Sequence, residues 1–223
     1  MDLAHVSVSE PPLCREPVNP TSDSLAPLRI FSTGHRDRPS LQRFIADNFA
    51  RVYGAEIVHF AEELVGLPSA AGGWAAGVGY TLAGRNRLFV EQYLDQPVEA
   101  AIAASLGASI ERAQIVEVGN LAADSAGAAR RLIVFMTALL HRLQRTWVVF
   151  TSTRSLLNSF ARLEIAPIVL APADPGRLLD GGSSWGSYYA TRPQVMTANI
   201  PLGFIHLKSK SLGSGICRPA TTH

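Results

Sequence analysis

A predicted strand, a turn of small residues and a long apolar helix occupy residues 113–143 and constrain the fold of this chain most strongly. Val116 and Val118 are typical of a buried strand, and the apolar part of the helix runs over 130–143. The turn, 122–129, consists mainly of alanine. Free backbone N–H groups at such a junction can bind a phosphate or pyrophosphate. Close packing of the helix on the strand would require the same small residues, so both interpretations stay open.

Candidate cofactor-binding residues lie in this turn and directly before and after it. Two arginines are predicted to open the helix, where positive charge is unfavourable by about 0.3–1 kcal/mol. A bound anion would remove that penalty, and solvation beside Asp124 is the alternative. The candidates are Leu121, Ala122, Ala126, Gly127, Ala128, Arg130 and Arg131.

Composition limits the class of protein. The chain has 223 residues, 47% of them hydrophobic, and a net charge of +2, which suits one main domain and gives no electrostatic case for nucleic-acid binding. No secretory signal or transmembrane helix is predicted, because the longest uncharged run, 64–84, contains six glycines and a proline. We therefore expect a cytoplasmic protein without integral membrane association. Cys14 and Cys217 lie in the terminal segments, and no metal-type spacing of cysteine and histidine is present.

Strands and helices alternate along the chain, which predicts an α/β (α+β) fold. A flexible leader (1–28) and a flexible polar tail (208–223) flank a single domain, 29–207. The predicted strands are 28–32, 57–60, 74–82, 87–92, 113–119, 146–151 and 168–170, with 195–207 ending the sheet. The predicted helices are 40–53 with Ser40 as N-cap, 97–106, 127–144, 154–163 and a short one near 176–179.

The short link between the strands 74–82 and 87–92 predicts a hairpin. The later strand–helix–strand order predicts a parallel pair. We thus expect a mixed sheet with an antiparallel N-terminal half, a βαβ C-terminal half and helices on both faces.

Two acidic residues on predicted strands are candidate catalytic groups. Alternation places Glu117 on the face opposite Val116 and Val118. A buried carboxylate must be paired or have a raised pKa, and a raised pKa suits a general base for an amine nucleophile. A structural ion pair with an arginine explains Glu117 equally well, and Glu91 raises the same choice. Asn120 is positioned to orient an acyl carbonyl or an acceptor.

Further candidates lie in the second half of the chain. Thr151 lies at the C-terminal end of the strand 146–151, where ligands gather in α/β proteins, and it is a candidate for cofactor binding together with Asn158. Thr153 is expected to cap the next helix, and Asn158 shares a face of that helix with Arg162. An aromatic cluster follows a glycine-rich loop and would line an acyl pocket, close a lid or fill the core. Its residues are Trp185, Tyr188 and Tyr189.

Several separated motifs together resemble the thermostable hemolysin family of bacterial proteins over residues 30 to 200. They are Leu88–Pro97, Ile115–Ala123, Trp147–Thr153, Ala173–Pro175 and Trp185–Tyr189. That family is similar to GNAT-type acyltransferases and, more distantly, to acyl-homoserine-lactone synthases. The synthases carry a Glu-x-x-Arg-Phe pattern where this chain has Glu117, Asn120 and Leu121, and their Arg-Leu-Leu pattern corresponds to Arg87-Leu-Phe.

The resemblance implies a GNAT-like fold and an acyltransferase. The donor would be acyl-CoA or an acyl-phosphopantetheine carrier such as acyl carrier protein, and the acceptor a small-molecule amine, without a metal. Arg87 would bind substrate, and Arg36 would bind an acidic acceptor. The GNAT pyrophosphate loop corresponds to 124–129 but begins with Asp124, so Arg130 or Arg131 would supply the countercharge.

Two other functions stay open at this stage. A membrane-active hemolysin follows from the family name, although no basic amphipathic helix is evident. A GNAT-like binding module without catalysis follows from the change at Asp124.

Overall fold

The computed structural model describes residues 28–213, and the seven strands found there form one mixed sheet in the order β1-β2-β3-β4-β5-β7-β6. The strands are β1 Arg29–Phe31, β2 Glu63–Pro68, β3 Trp74–Leu82, β4 Ile115–Ala123, β5 Trp147–Ser152, β6 Ile168–Pro172 and β7 Gln194–Asn199. The helices are α1 Arg38–Tyr53, α2 Val98–Leu106, α3 Ala126–Arg142, α4 Arg154–Arg162 and α5 Ile200–Gly213.

Strand direction divides the sheet as the sequence predicts. Strands β1 to β4 are antiparallel neighbours, and the β4–α3–β5 unit makes β4 and β5 parallel. Strand β7 pairs antiparallel with both β5 and β6. The mixed α/β fold is therefore confirmed.

Helices cover both faces of this sheet. The side chains of Leu41, Ile45 and Phe49 recur every four residues on α1 and are buried against β2, β3 and β4. On the opposite face, Leu132 and Met136 of α3 pack on the central strands and α5 covers α3. Helix α2 lies on the α1 face, since its apolar residues pack with Ile115 of β4 and Val149 of β5, and α4 lies on the α3 face.

Local chemistry explains where the central helices begin and end. Ser125 is extended, and its Oγ accepts a hydrogen bond from the Ala128 N–H, so α3 begins at Ala126. Gly54 adopts positive φ after Tyr53 and ends α1. Helix α1 begins at Arg38, so the prediction of Ser40 as its N-cap was wrong by a few residues.

The predicted hairpin of 74–82 with 87–92 is wrong. Residues Phe89–Tyr93 form a 3₁₀ helix, here called the 89–93 turn, and β3 pairs instead with β2 and β4. The strand predicted at 57–60 is absent from the structure, and the neighbouring strand lies at Glu63–Pro68. Val90 and Tyr93 are buried, so their apolar character serves packing rather than a strand.

The C-terminal end also differs from its prediction. The segment 195–207 is strand β7 followed at once by α5, and α5 continues to Gly213, inside the predicted tail. Residues 1–27 and 214–223, including Cys14 and Cys217, lie outside the described residues. No helix within 28–213 is long and apolar enough to cross a bilayer.

Candidate active site

The parallel strands β4 and β5 separate at their carboxyl ends. Their register runs from Ile115–Trp147 to Val118–Phe150, and β4 continues to Ala123 without a β5 partner. On its other side, β4 has a bulge, because Val78 of β3 faces two residues of β4, Asn120 and Leu121. After Val118 the main chain of β4 is thus unpaired on its β5 side, although Gly119, Ala122 and Ala123 still pair with β3, and it lines an opening through the sheet.

A cleft of about 1410 Å³ passes through this opening and reaches both faces of the sheet. We call its part on the α1 face the aromatic chamber and its part on the α3 face the α3-side chamber. The aromatic chamber is lined by Phe49, Tyr53, Phe89, Tyr93, Trp185 and Tyr188. The α3-side chamber is lined by Ile133, Met136, Leu140, Val148, Phe150 and Ile165.

Glu117 lies in the wall of the cleft and is only 8% exposed. Its two carboxylate oxygens accept hydrogen bonds from the backbone N–H groups of Phe89 (2.6 Å) and Val90 (3.0 Å). Burial raises the pKa of the Glu117 carboxyl to about 7, although these two amides act to lower it, and the charge of Glu91 raises it further. Each oxygen retains a second lone pair, so the carboxylate can still take a proton.

Glu91 has a structural role that excludes it from the cleft wall. Its carboxylate pairs with Arg112 at 2.6 Å and accepts hydrogen bonds from the backbone N–H groups of Leu88 and Val98. The hydrogen bond from Arg112 is the main cause that lowers the pKa of Glu91 to about 2, against the effect of burial. The prediction that both acids face one cleft is therefore wrong. Glu117 lines the cleft, and Glu91 is the acid that forms the ion pair with an arginine.

Asn120 lines the cleft but has its side chain engaged elsewhere. It has positive φ (54°), its Oδ1 accepts from the Ala61 N–H and its Nδ2 donates to the His59 carbonyl. The close approach of this loop depends on Gly79, since a Cβ there would lie 2.6 Å from the Ala61 Cβ. Asn120 thus fixes the bulge against the loop before β2 rather than offering its amide to a ligand.

The N-terminus of α3 lies at the same opening. Helix α3 starts four residues before Arg130, so Arg130 and Arg131 lie in its second turn rather than opening it, and the expected dipole penalty does not apply at full strength. Ala126 and Arg130 line the cleft, and neither arginine forms an ion pair within the described residues. Gly127 is exposed at the helix start, with its amide ahead of the first intrahelical bond.

The other predicted site residues divide between the cleft and its surroundings. Those that line the cleft are Arg87, Leu121, Thr151, Asn158, Trp185 and Tyr188. Those that do not are Arg36, Ala122, Gly127, Ala128, Arg131 and Tyr189. Arg36 is highly exposed beside Asp37, and Ala122 and Ala128 are buried in the core. Thr153 caps α4 as expected, accepting from the Leu156 N–H.

The aromatic cluster combines two of its predicted roles. Tyr188 is buried and packs edge-on against Tyr53, while Trp185 contacts both Phe89 and Tyr188 and borders the cleft. Tyr189 faces away, and its hydroxyl bonds to that of Tyr93 at 2.5 Å. The cluster therefore fills the core and forms the chamber wall at once.

Sequence reasoning missed the residues that surround Glu117. The Phe89 and Val90 amides are 28 and 27 residues away along the chain. The one local signal is Glu91, three residues after Leu88 in a capping arrangement that favours a turn over a strand. Nothing local points to Tyr93. Among the described residues, no group of three or more His, Cys, Asp or Glu side chains could hold a metal ion.

The sheet order, the separated strands and the flanking helices give this chain the fold of solved acyl-homoserine lactone and N-acyl amino acid synthases. The structure of FeeM, an N-acyl amino acid synthase from uncultured soil microbes, matches with a TM-score of 0.55 and 13% identity over 81% of this chain and 99% of that one. The CoA-dependent acyl-homoserine lactone synthase BjaI, with SAM and isopentyl-CoA, gives 0.53 and 14% over 82% and 88%. The acyl-homoserine lactone synthase LasI gives 0.52 and 10% over 78% and 89%.

Residues 31–204 match the family model described as thermostable hemolysin, so the chain belongs to the thermostable hemolysin family. No curated protein matches the chain in sequence.

Proposed function

We propose that this protein is an N-acyltransferase that moves an acyl group from a phosphopantetheine thioester to an amine. The observation that carries the proposal is the buried carboxylate of Glu117 in the wall of a cleft that passes between β4 and β5. The FeeM and BjaI structures share the fold, and the names of both describe acyl-transferring synthases.

In the proposed reaction, the donor's phosphates bind at the start of α3, near the free amides of Ala126 and Gly127 and the guanidinium of Arg130. The pantetheine arm enters between β4 and β5. The acyl chain occupies the α3-side chamber, whose apolar lining favours a chain longer than acetyl.

Glu117 acts as the general base. The acceptor enters as an ammonium ion and loses one proton to the carboxylate, and its nitrogen then attacks the thioester carbonyl carbon. Main-chain N–H groups near the bulge at Asn120 and Leu121 stabilise the oxyanion. The C–S bond breaks, the thiolate takes the second proton from nitrogen, and the products are an amide and a free thiol with net release of one proton.

The need for an acyl thioester donor also bears on where the protein acts. We propose that the domain predicted over 29–207, which α5 extends to Gly213, acts as a single unit in the bacterial cytoplasm. CoA thioesters and acyl carrier protein are both candidate donors there. The direct test is thiol release from a panel of acyl thioesters with and without amines. Amine-dependent release with an amide product supports the proposal, and the absence of release from every donor contradicts it.

A further inference from the structure

The aromatic chamber presents a set of ring faces beside Glu117. The Phe89 and Trp185 ring centroids are 5.8 Å apart, and those of Trp185 and Tyr188 are 5.2 Å apart. Phe89 also supplies one of the two amides that hold the Glu117 carboxylate. Aromatic faces attract an ammonium group and provide flat apolar surfaces for the rest of a ligand. The chamber is thus suited to an organic cation.

Tyr188 adds a hydrogen-bonding group to this chamber. Tyr188 is 7% exposed and lines the cleft. Its hydroxyl makes no hydrogen bond to another described residue and is not fully enclosed by protein, so it reaches the open cleft. Tyr93 and Tyr189, by contrast, satisfy each other. A hydroxyl that reaches the cleft and has no protein partner is available to a ligand.

The charges around the chamber have one predominant sign. Glu62, the residue before β2, lies in a row with Thr81 of β3 and Glu117 of β4, because Thr81 pairs with Glu117 and the Glu62 N–H donates to the Thr81 Oγ1. Glu62 lines the cleft, its side chain accepts from Asn86, and no described arginine or lysine is within ion-pair distance of it. The row therefore places two carboxylates on the chamber side of the sheet.

The cations that line the cleft lie elsewhere. Arg130 and Arg162 belong to α3 and α4, on the opposite face of the sheet. Arg87 and His59 line the cleft but are exposed to solvent. Arg38 of α1 is a buried cation on this face, but it lies behind the cleft wall and donates to the Phe31, Ala61 and Glu62 carbonyls. Among the described residues that line it, the buried part of the chamber contains the Glu117 carboxylate and no arginine or lysine to receive an anion.

From this arrangement we infer the class of acceptor, an inference that rests on the function proposed above. The acceptor is a primary amine with an apolar or aromatic body and without a carboxylate on the carbon next to its nitrogen. An α-amino acid would place its carboxylate beside Glu117 with no cation in the buried lining of the chamber to compensate it, which is unfavourable at close range in a site of low dielectric. The corresponding decarboxylated amine avoids that repulsion and keeps the contact with the rings.

Matched pairs of acceptors test the inference. Thiol release is measured with one acyl donor and tyramine against tyrosine, tryptamine against tryptophan, and cadaverine against lysine. We expect each amine to exceed its amino acid in kcat/KM by roughly ten-fold or more. Equal or higher kcat/KM with the amino acids would overturn the inference and leave the transferase intact. Loss of that amino-acid activity in Arg87→Ala would then show that Arg87 binds the carboxylate. Failure of all six acceptors would instead overturn the proposed function and this inference with it.

Binding provides a second readout that does not require turnover. Calorimetric titration should show tyramine binding more tightly than tyrosine, and Trp185→Leu should weaken tyramine binding by roughly ten-fold. If Trp185→Leu does not fold, Phe89→Leu replaces it. Tyrosine binding as tightly as tyramine, or unchanged tyramine affinity in a folded variant, would contradict the role of the rings.

Discussion

At the scale of single residues, the 89–93 turn and the burial that accompanies it determine the acidity of Glu117. The Phe89 and Val90 amides hold both oxygens, yet burial dominates and raises the pKa to about 7. A carboxyl with this pKa takes up a proton near neutral pH, where a general base is most effective.

Replacement of Glu117 by glutamine tests the base directly. Glu117→Gln keeps the shape of the side chain but cannot take a proton, so kcat/KM should fall by roughly a hundred-fold or more while the protein stays folded. Thiol release and circular dichroism measure the two effects. Glu111→Gln, at an exposed position outside the cleft, is the matched control.

The pH dependence follows from the same shift. Because the base must be deprotonated, kcat/KM should rise with pH through about 7 and then level off. The pKa of Glu117 in the folded protein lies above the ordinary glutamate value of 4.5, so this group lowers stability as pH rises between 4.5 and about 7. Profiles of kcat/KM against pH measure the first effect, and thermal melts of the wild type and Glu117→Gln across the same pH range measure the second. A rate independent of pH across neutrality would exclude Glu117 as the base.

At the scale of elements, the ion pair of Glu91 and Arg112 holds the 89–93 turn against the start of α2. Arg112 also contacts Glu99 at 2.8 Å and the Ala83 carbonyl at 2.9 Å, so one side chain joins three segments. This pair keeps the Phe89 and Val90 amides aimed at Glu117.

Loss of the arginine should destabilise the fold with a specific pH signature. We expect Arg112→Met to cost about 2 kcal/mol of unfolding free energy. The pKa of Glu91 is lowered to about 2 from 4.5, so its stabilisation is present above 4.5 and is lost as pH falls toward 2. Denaturant melts across that interval should show a flatter pH dependence in the variant. An equal slope in both proteins would contradict this account.

The start of α3 offers a prediction that separates binding from stability. A Cβ at Gly127 would meet only the Ser125 Oγ at 3.7 Å, so Gly127→Asp fits without a clash. An acidic residue in the first turn favours the helix, whereas its charge repels a bound phosphate. The melting temperature should be equal or higher, and the KM for the acyl donor should rise by roughly ten-fold or more. An unchanged donor KM would remove this turn from the proposed mechanism.

Comparison of individual elements shows what the sequence could predict. The β4–α3–β5 unit was predicted because strong β-branched runs flank a long apolar helix, whereas the capping role of Ser125 emerged only from the structure. The 87–92 strand failed because Leu88, Phe89 and Val90 have strand propensity, while the turn is imposed by Glu91 and Arg112 across 21 residues. The burial of Glu117 was predictable from alternation, but its amide donors were not.

At the scale of the whole molecule, one opening joins chambers on the two faces of the sheet. A donor bound from the α3 side and an acceptor from the aromatic side would meet at Glu117, so neither substrate would have to pass the other. The separation of the two chambers depends on the loop that carries Trp185 and Tyr188, which docks on the end of α1. Only glycine fits at position 186 of this loop, because a Cβ there would lie 2.1 Å from the Tyr53 carbonyl oxygen.

The name of the thermostable hemolysin family raises the question of whether the whole protein lyses erythrocytes directly. If lysis comes from an amphipathic acylated product, lysis by cells that express the protein should disappear in Glu117→Gln, and purified protein alone should not lyse erythrocytes. Haemoglobin release measures both. Lysis by the purified Glu117→Gln protein would instead establish a direct membrane activity.

The most direct test of the central claim is mass-spectrometric detection of an N-acyl amine made from an acyl thioester and an amine, with donor binding followed by calorimetry. The account predicts that the wild-type protein forms the amide and that Glu117→Gln binds the donor but does not form it. Amide formation at the wild-type rate by Glu117→Gln would contradict the account.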